Sequence, residues 1–180
     1  MKKFLLPILA GSISLALSTA SFAGDSEDGK KIVMNDLKTG ESIGSVMVRD
    51  YDDDGVVFTP ELSGLTPGMH GFHIHENGDC SSAMKDGKNV LGGAAGGHFD
   101  PEDTGKHSVP WSEKGHEGDL PTLFVDNNGK ASKPIFAPEL ELDDIEGRAL
   151  MIHAGGDNYS DSPEKLGGGG SRVACGVIGD

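Results

Sequence analysis

The 180-residue chain carries 15 Lys and Arg against 29 Asp and Glu, a formal net charge of −14, and it contains two cysteines and seven histidines. This length suits a single domain with a sizeable core. A chain this acidic argues against nucleic acid and against anionic membranes as partners.

The N-terminal segment has the pattern of a secretory signal peptide. Lys2 and Lys3 form a positive region, residues 4–17 are almost entirely apolar or small, and a Ser-Phe-Ala sequence ends the segment. The apolar run is short for a membrane span, so a membrane anchor is the weaker alternative. Cleavage after Ala23 leaves residues 24–180 as one domain of 157 residues, with 13 basic and 29 acidic side chains and a formal charge of −16. The predicted location is the periplasm, with no membrane anchor after cleavage.

Short apolar runs separated by Gly, Pro, Asn and Asp follow along the rest of the chain. Many short strands with such turns predict an all-β antiparallel sandwich or barrel. Residues 127–129, Asn-Asn-Gly, predict a hairpin turn, and residues 139–145 are the one stretch that favours a helical turn. The predicted strands cover residues 31–37, 42–50, 56–62, 70–75, 122–126, 130–137, 148–153 and 172–178.

Two long stretches, residues 76–121 and 154–171, are rich in Gly, Pro and polar residues. Loops of this length in a compact domain are either disordered or functional. The first contains three histidines, and the second begins just after His153 and ends just before Arg172. We therefore expect chemistry in these loops.

The two cysteines, Cys80 and Cys175, are predicted to form a disulfide, because export places them in an oxidising compartment. The alternative is a pair of thiolate metal ligands. It is weaker because neither cysteine belongs to a C-x-x-C pair.

Residues 70–75, His-Gly-Phe-His-Ile-His, hold three of the seven histidines. Side chains alternate between the faces of a strand, so Phe72 and Ile74 are expected to point into the core, and His73 and His75 to lie side by side on the other face. His70 shares the parity of the apolar pair and is predicted to be structural, bonded to loop backbone. An isolated H-x-H is commonly a pair of surface histidines, but here we favour a metal site.

The loop that follows supplies further ligand candidates. His98, His107 and His116 recur at intervals of nine, and Asp119 follows three residues later. Three imidazoles and one carboxylate form a tetrahedral set suited to zinc. His73, His75 and His153 remain, one short of the tetragonal nitrogen site that Cu(II) prefers, and an imidazole shared between two metals would complete it. Spacing alone leaves open which histidine is shared.

Six stretches, 60 residues in all, occur in order along the chain between residues 68 and 179: GMHGFHIHENGDC, GGAAGGHFDP, TGKH, GHEGDLP, LMIHAGGDNYSD and LGGGGSRVACGVIG. With them the chain resembles copper–zinc superoxide dismutase, specifically the bacterial exported type. The resemblance implies an eight-stranded antiparallel Greek-key barrel or sandwich with two long functional loops. It also implies one copper and one zinc per chain.

The resemblance assigns roles residue by residue. It implies that Asp157 links a copper histidine to a zinc histidine, that Cys80 and Cys175 form the family's disulfide, and that Arg172 lines the copper channel. It makes His98 the bridging imidazolate, which also donates a proton to peroxide. The implied copper ligands are His73, His75, His98 and His153, and the implied zinc ligands are His98, His107, His116 and Asp119.

The implied substrate is superoxide, converted to oxygen and hydrogen peroxide by copper that cycles between Cu(II) and Cu(I), with a structural zinc. An anionic substrate and an anionic protein require a local cationic channel mouth. Arg172 is the candidate for this positive charge. Lys85 and Lys88 either help to attract the substrate or are solvated loop charges. The resemblance favours a homodimer, and Trp111 and Phe99 suit either a loop core or a dimer face.

Two other functions remain as alternatives. The first is a non-catalytic copper chaperone or metal buffer on the same fold, which would be marked by a lost copper ligand or a lost channel arginine. The second is a zinc-only module, which would not need His73, His75 and His153 together. The sequence retains all of these residues, which favours the enzyme.

Overall fold

The computed structural model describes residues 29–52, 54–138 and 140–179. The predicted signal peptide, residues 1–23, lies outside this range. Within it the structure is almost entirely strands and loops. The strands are β1 (Lys30–Asp36), β2 (Ser42–Asp50), β3 (Val56–Ser63), β4 (Gly68–His70), β5 (Phe72–His75), β6 (Ala83–Lys85), β7 (Lys88–Val90), β8 (Leu123–Val125), β9 (Lys130–Ala131), β10 (Ile135–Ala137), β11 (Ala149–His153) and β12 (Arg172–Val177).

Eight strands form one antiparallel sheet in the order β10-β3-β2-β1-β12-β11-β5, with β9 also pairing with β3. Alternation sets the buried face: in β3, Val56, Phe58 and Leu62 are buried, whereas Thr59 and Glu61 between them are exposed. Buried side chains from both ends of the sheet meet in one hydrophobic cluster, so the sheet curls around this main core, and a smaller cluster lies around Met151 and Cys175. The all-β antiparallel prediction is confirmed.

Two predicted strands are each divided in the structure. The run 70–75 breaks at Gly71, because β4 pairs with β8 in a separate two-stranded sheet while β5 pairs with β11. The run 130–137 breaks into β9 and β10, with residues 132–134, Ser-Lys-Pro, between them. Pro134 has no N–H to donate to a strand neighbour, which suits an interruption there.

The predicted turn at residues 127–129 forms, with Asp126 N donating to Lys130 O at 2.8 Å. The strands that it joins, β8 and β9, pair mainly with β4 and β3, so the expected two-stranded hairpin is not the main pairing. The predicted helical turn appears as α1 (Leu142–Ile145). Short 3-10 segments occur at Gly93–Ala95 and Lys165–Gly168.

The loop 76–121 contains a hairpin that the sequence analysis missed, β6 paired with β7 around Asp86-Gly87. Cys80 in this loop is bonded to Cys175 in β12, which confirms the predicted disulfide and rules out thiolate metal ligation. The bond fixes the loop against the centre of the sheet. Among the described residues, no helix has the length and apolar character needed to cross a membrane.

Candidate metal centre

Four buried imidazoles meet where β5, β11 and the loop after β7 come together. The antiparallel pairing of β5 with β11 places His73 opposite Met151, two residues before His153 at the end of β11. A single β-bridge holds His98 opposite His75. One ligand atom from each of the four side chains lies within 4.8 Å of the other three; the four are His73, His75, His98 and His153.

The hydrogen bonds of two of these rings fix which nitrogen faces inward. His75 Nδ1 donates to Gly96 O at 3.1 Å, and His153 Nδ1 faces Gly170 O at 3.4 Å. Their Nε2 atoms then face each other at 3.4 Å, both as lone-pair acceptors. A metal ion held between two converging lone pairs removes their mutual repulsion, so the donor set fits copper.

A second group of ligand atoms lies next to the first. Atoms of His73, His98, His107 and Asp119 lie within 4.8 Å of one another. Nδ1 of His98 is 2.8 Å from Asp119 Oδ1, which leaves His98 Nε2 for the first group. His98 therefore belongs to both groups, as a shared imidazole must.

The expected zinc set differs from this second group at one position. His116 is adjacent, with its Nδ1 3.3 Å from Asp119 Oδ1, but His73 takes its place among the mutually close atoms. Because Asp157 occupies His73 Nε2, His73 has one nitrogen left for one metal. The assignment of His116 to zinc and of His73 to copper stays a prediction.

Asp157 connects the two groups. Its Oδ2 is 2.7 Å from His73 Nε2, its Oδ1 is 2.7 Å from His107 Nε2, and Oδ1 also accepts from Tyr159 N at 2.7 Å. The Nδ1 atoms of His73 and His107 are buried without a hydrogen-bond partner, although His107 Nδ1 is 2.8 Å from Asp119 Oδ1. An orphaned buried nitrogen on each side of one carboxylate fits a metal on each side.

Burial favours neutral imidazoles in the first group. Burial, reinforced by neighbouring imidazoles, lowers the pKa of His98 to about 4 and that of His153 to about 2. Burial also lowers the pKa of His73 and His75. The neutral ring is the form that binds metal.

The carboxylates of the second group are ionised. Burial would raise the pKa of Asp119 and Asp157, but hydrogen bonds from His107 and other histidines outweigh it and lower both. Burial acts to lower the pKa of His107, but the close ion-pair contact of its Nδ1 with Asp119 and the hydrogen bond of its Nε2 with Asp157 raise it to about 9. Negative charge therefore concentrates around His107, where a divalent cation is stabilised.

Arg172 is half-buried beside the first group. It begins β12 opposite His153, and its guanidinium donates from Nη1 to Gly92 O and from Nη2 to Gly96 O. Gly96 O is also the acceptor for His75 Nδ1, so the cation lies next to that ring. Lys85 and Lys88 lie opposite each other on the exposed hairpin β6–β7, and their part in steering stays a prediction.

His70 lies outside both groups. Its ring is buried, with Nδ1 2.6 Å from His153 O and Nε2 2.8 Å from Thr66 O. Both nitrogens are committed to backbone, as predicted for a structural histidine. The division of the strand at Gly71 does not change this result.

Sequence reasoning missed three contributors to the site. Asp161 accepts from the backbone N of His107 at 2.9 Å, Glu76 accepts from Gly97 N at 2.8 Å, and the Gly96 carbonyl serves two side chains. The Gly96 carbonyl could not be predicted from residue types, because every residue has a backbone carbonyl. The Gly-rich run from Gly92 to Gly97 was the available indication that backbone comes close to the site.

The family model described as copper/zinc superoxide dismutase matches residues 42–178. The chain belongs to that family. The dismutase uses copper and zinc, and the two groups of ligand atoms are compatible with both metals. Its reaction is the dismutation of superoxide, and the family match favours the enzyme over a non-catalytic metal carrier.

Close relatives are bacterial. A copper–zinc superoxide dismutase of Photobacterium leiognathi is 56% identical over 171 residues, 95% of this chain and 96% of that protein. The solved Cu/Zn superoxide dismutase of Brucella abortus is 48% identical, with a TM-score of 0.80 over 84% of this chain and 99% of that one. The solution structure of the monomeric enzyme of Salmonella enterica is 53% identical, with a TM-score of 0.73 over 83% and 99%.

Proposed function

We propose that this dismutase acts on superoxide at the first group of histidines, with His73, His75, His98 and His153 as copper ligands. The proposed zinc ligands are His98, His107, His116 and Asp119. The observation that carries the assignment is the position of His98, whose Nδ1 faces Asp119 while its Nε2 is left for the copper histidines. Bound copper supplies one-electron redox chemistry, and bound zinc supplies a fixed positive charge.

The chain's own residues supply orientation, capture and a proton. Asp157 orients His73 and His107 through their Nε2 atoms, which fixes the tautomer of each ring. Arg172 attracts the anion at the mouth of the site. Nε2 of His98 holds the proton that is delivered to peroxide, and a second proton comes from solvent.

The decisive experiment combines metal analysis with a superoxide-dependent assay. We expect about one copper and one zinc per chain, with activity lost when copper is removed and regained when it is restored. Zinc alone with no activity, in a fully folded preparation, would contradict the proposal. Copper without activity would favour a metal carrier.

We also propose export to the periplasm with cleavage after Ala23. The sequence of residues 1–23 supports export, and the Cys80–Cys175 disulfide suits an oxidising compartment. The mass of the protein recovered from the periplasmic fraction tests both points. A mass that includes residues 1–23 would contradict cleavage.

The homodimer is part of the proposal, with Trp111 on its face. Trp111 is 62% exposed, whereas Phe99 is buried under the Arg148 guanidinium and belongs to the core. Exposed tryptophan is enriched at interfaces. We expect sedimentation of a dimer that Trp111→Glu converts to a monomer. A wild-type monomer, like the monomeric enzyme of Salmonella enterica, would contradict this.

A further inference from the structure

In one short loop, residues 92–97, two backbone carbonyl oxygens accept hydrogen bonds from a proposed copper ligand and from the proposed capture residue. The Gly96 carbonyl accepts from His75 Nδ1 at 3.1 Å and from Arg172 Nη2. The Gly92 carbonyl accepts from Arg172 Nη1. A shift of the Gly96 carbonyl would therefore move a proposed copper ligand and the proposed capture residue together.

The other side of this loop is fastened to the two residues that follow His75. Glu76 N donates to Gly97 O at 3.1 Å, and Gly97 N donates to Glu76 Oε2 at 2.8 Å. Asn77 adds two bonds, from its backbone N to Ala95 O at 3.0 Å and from its side-chain Nδ2 to Ala94 O at 3.1 Å. The Glu76 carboxylate therefore accepts from the N–H of the same peptide unit that carries the shared Gly96 carbonyl.

The contact between Glu76 and the loop is close. Gly96 has φ +78°, a conformation that favours glycine, and a Cβ built there would lie 2.2 Å from Glu76 Oε2. The carboxylate thus occupies the space above Gly96 that a side chain would need. The positive φ is the reason that position 96 requires a glycine, since the flexible Glu76 side chain could move aside for a Cβ.

The backbone of Glu76 is itself fixed. Arg148 Nη1 donates to Glu76 O at 3.0 Å, and the Arg148 guanidinium lies 3.6 Å over the centre of the Phe99 ring. Phe99 belongs to the core. The chain of contacts therefore runs from the core through Arg148 and Glu76 to the Gly96 carbonyl.

We propose that Glu76 is a positioning residue of the dismutase, whose bond to Gly97 N holds the Gly96 carbonyl where it orients both His75 and Arg172. This inference rests on the proposed roles of His75 and Arg172. Glu76 also has an opposing electrostatic effect, because its negative charge acts on the Arg172 guanidinium and weakens the local attraction for an anion.

Three substitutions distinguish the effect of the hydrogen bond from Gly97 N to Glu76 from the effect of the negative charge of Glu76. Glu76→Gln keeps an acceptor oxygen and removes the charge, Glu76→Asp keeps the charge but shortens the reach to Gly97 N, and Glu76→Ala removes both. Glu61→Gln and Glu61→Ala are the controls, since they make the same change in net charge on β3, three strands from β12 in the sheet.

The measurements are the electron paramagnetic resonance spectrum and affinity of bound Cu(II), and the rate of superoxide capture at low salt. Glu76→Asp and Glu76→Ala should change the spectrum and weaken Cu(II) binding by about two- to tenfold, the range for one hydrogen bond. Glu76→Gln should keep the wild-type spectrum and affinity, and its capture rate should equal or exceed that of the wild type.

Two outcomes would overturn the inference. One is a spectrum and an affinity that stay wild-type in Glu76→Asp and Glu76→Ala, as in the Glu61 controls. The other is an equal change in Glu76→Gln and Glu76→Ala, because the bond would then not be the cause. A wild-type protein that holds copper and zinc yet lacks activity would contradict the proposed function instead, whatever the variants do.

Discussion

Asp157 is the residue on which both proposed metal sites are expected to depend, because its one carboxylate bonds to the rings of both His73 and His107. Partners of this kind contribute about 10–100-fold to metal affinity. We expect Asp157→Ala to weaken zinc binding by about that factor and to change the Cu(II) spectrum, while the fold persists. Metal titration of the variant against Asp86→Asn, an exposed hairpin control, checks this. Unchanged zinc affinity would show that the carboxylate does not orient a zinc ligand.

His70 is expected to behave differently from every other histidine near the centre. Its two ring nitrogens bond to Thr66 O and His153 O, so its removal leaves a buried carbonyl without a donor. His70→Ala should cost about 1–3 kcal/mol of unfolding free energy and leave both metal stoichiometries intact. Chemical denaturation and metal analysis test this. A folded variant that lacks copper would place His70 in the metal site.

The residue types and spacings were sufficient to predict the candidate ligands, but not how they are arranged. The nine-residue intervals and the H-x-H pair pointed to the histidines that are candidate metal ligands. Strand alternation placed the side chain of His70 on the opposite face from those of His73 and His75. The position of His98 in both groups depends on the bridge between His75 and His98, a contact between two separate segments of the chain. The role of the Gly96 carbonyl was equally hidden, because every residue has a carbonyl.

At the scale of elements, alternation predicted the strands where one face is buried. β2 was predicted with its observed bounds, Ser42–Asp50. The run 70–75 kept its alternation but changed partner at Gly71 from β8 to β11, which no local pattern records. The hairpin β6–β7 was missed because its residues are mostly exposed and lack an apolar repeat.

The disulfide is the element that fixes the loop carrying the Gly92 and Gly96 carbonyls. It spans 95 residues of sequence, for which chain-entropy estimates give up to about 4–5 kcal/mol. Cys80→Ser should lower the unfolding free energy by a few kcal/mol and speed amide exchange in residues 92–97. Cys175 stays buried as a small apolar side chain, so the change isolates the bond.

Urea unfolding and hydrogen exchange of Cys80→Ser, beside wild type with and without reductant, test this prediction. Reduced wild type should match the variant. Two free thiols in unreduced wild type, found by mass analysis, would contradict the bond itself. Unchanged exchange in residues 92–97 would show that Arg172 and Glu76 suffice to hold the loop.

For the whole molecule, charge poses the main difficulty. The 180-residue sequence has a formal charge of −14, and residues 24–180 have −16, yet the substrate is an anion. At long range the field repels superoxide, so attraction must arise within a few ångströms of the site. Arg172 lies there, with its guanidinium fixed by two carbonyls and its charge next to the His75 ring.

Reversing this charge should therefore change capture while leaving the copper and zinc content of the protein unchanged. We expect Arg172→Glu to lower the rate by about tenfold or more at low salt, because a focusing attraction becomes a repulsion. Added salt should slow the wild type and narrow the gap, since the screening length falls to about 3 Å at 1 M. Pulsed superoxide generation across a salt series measures both. Full copper and zinc with a wild-type rate at low salt would remove Arg172 from the capture step.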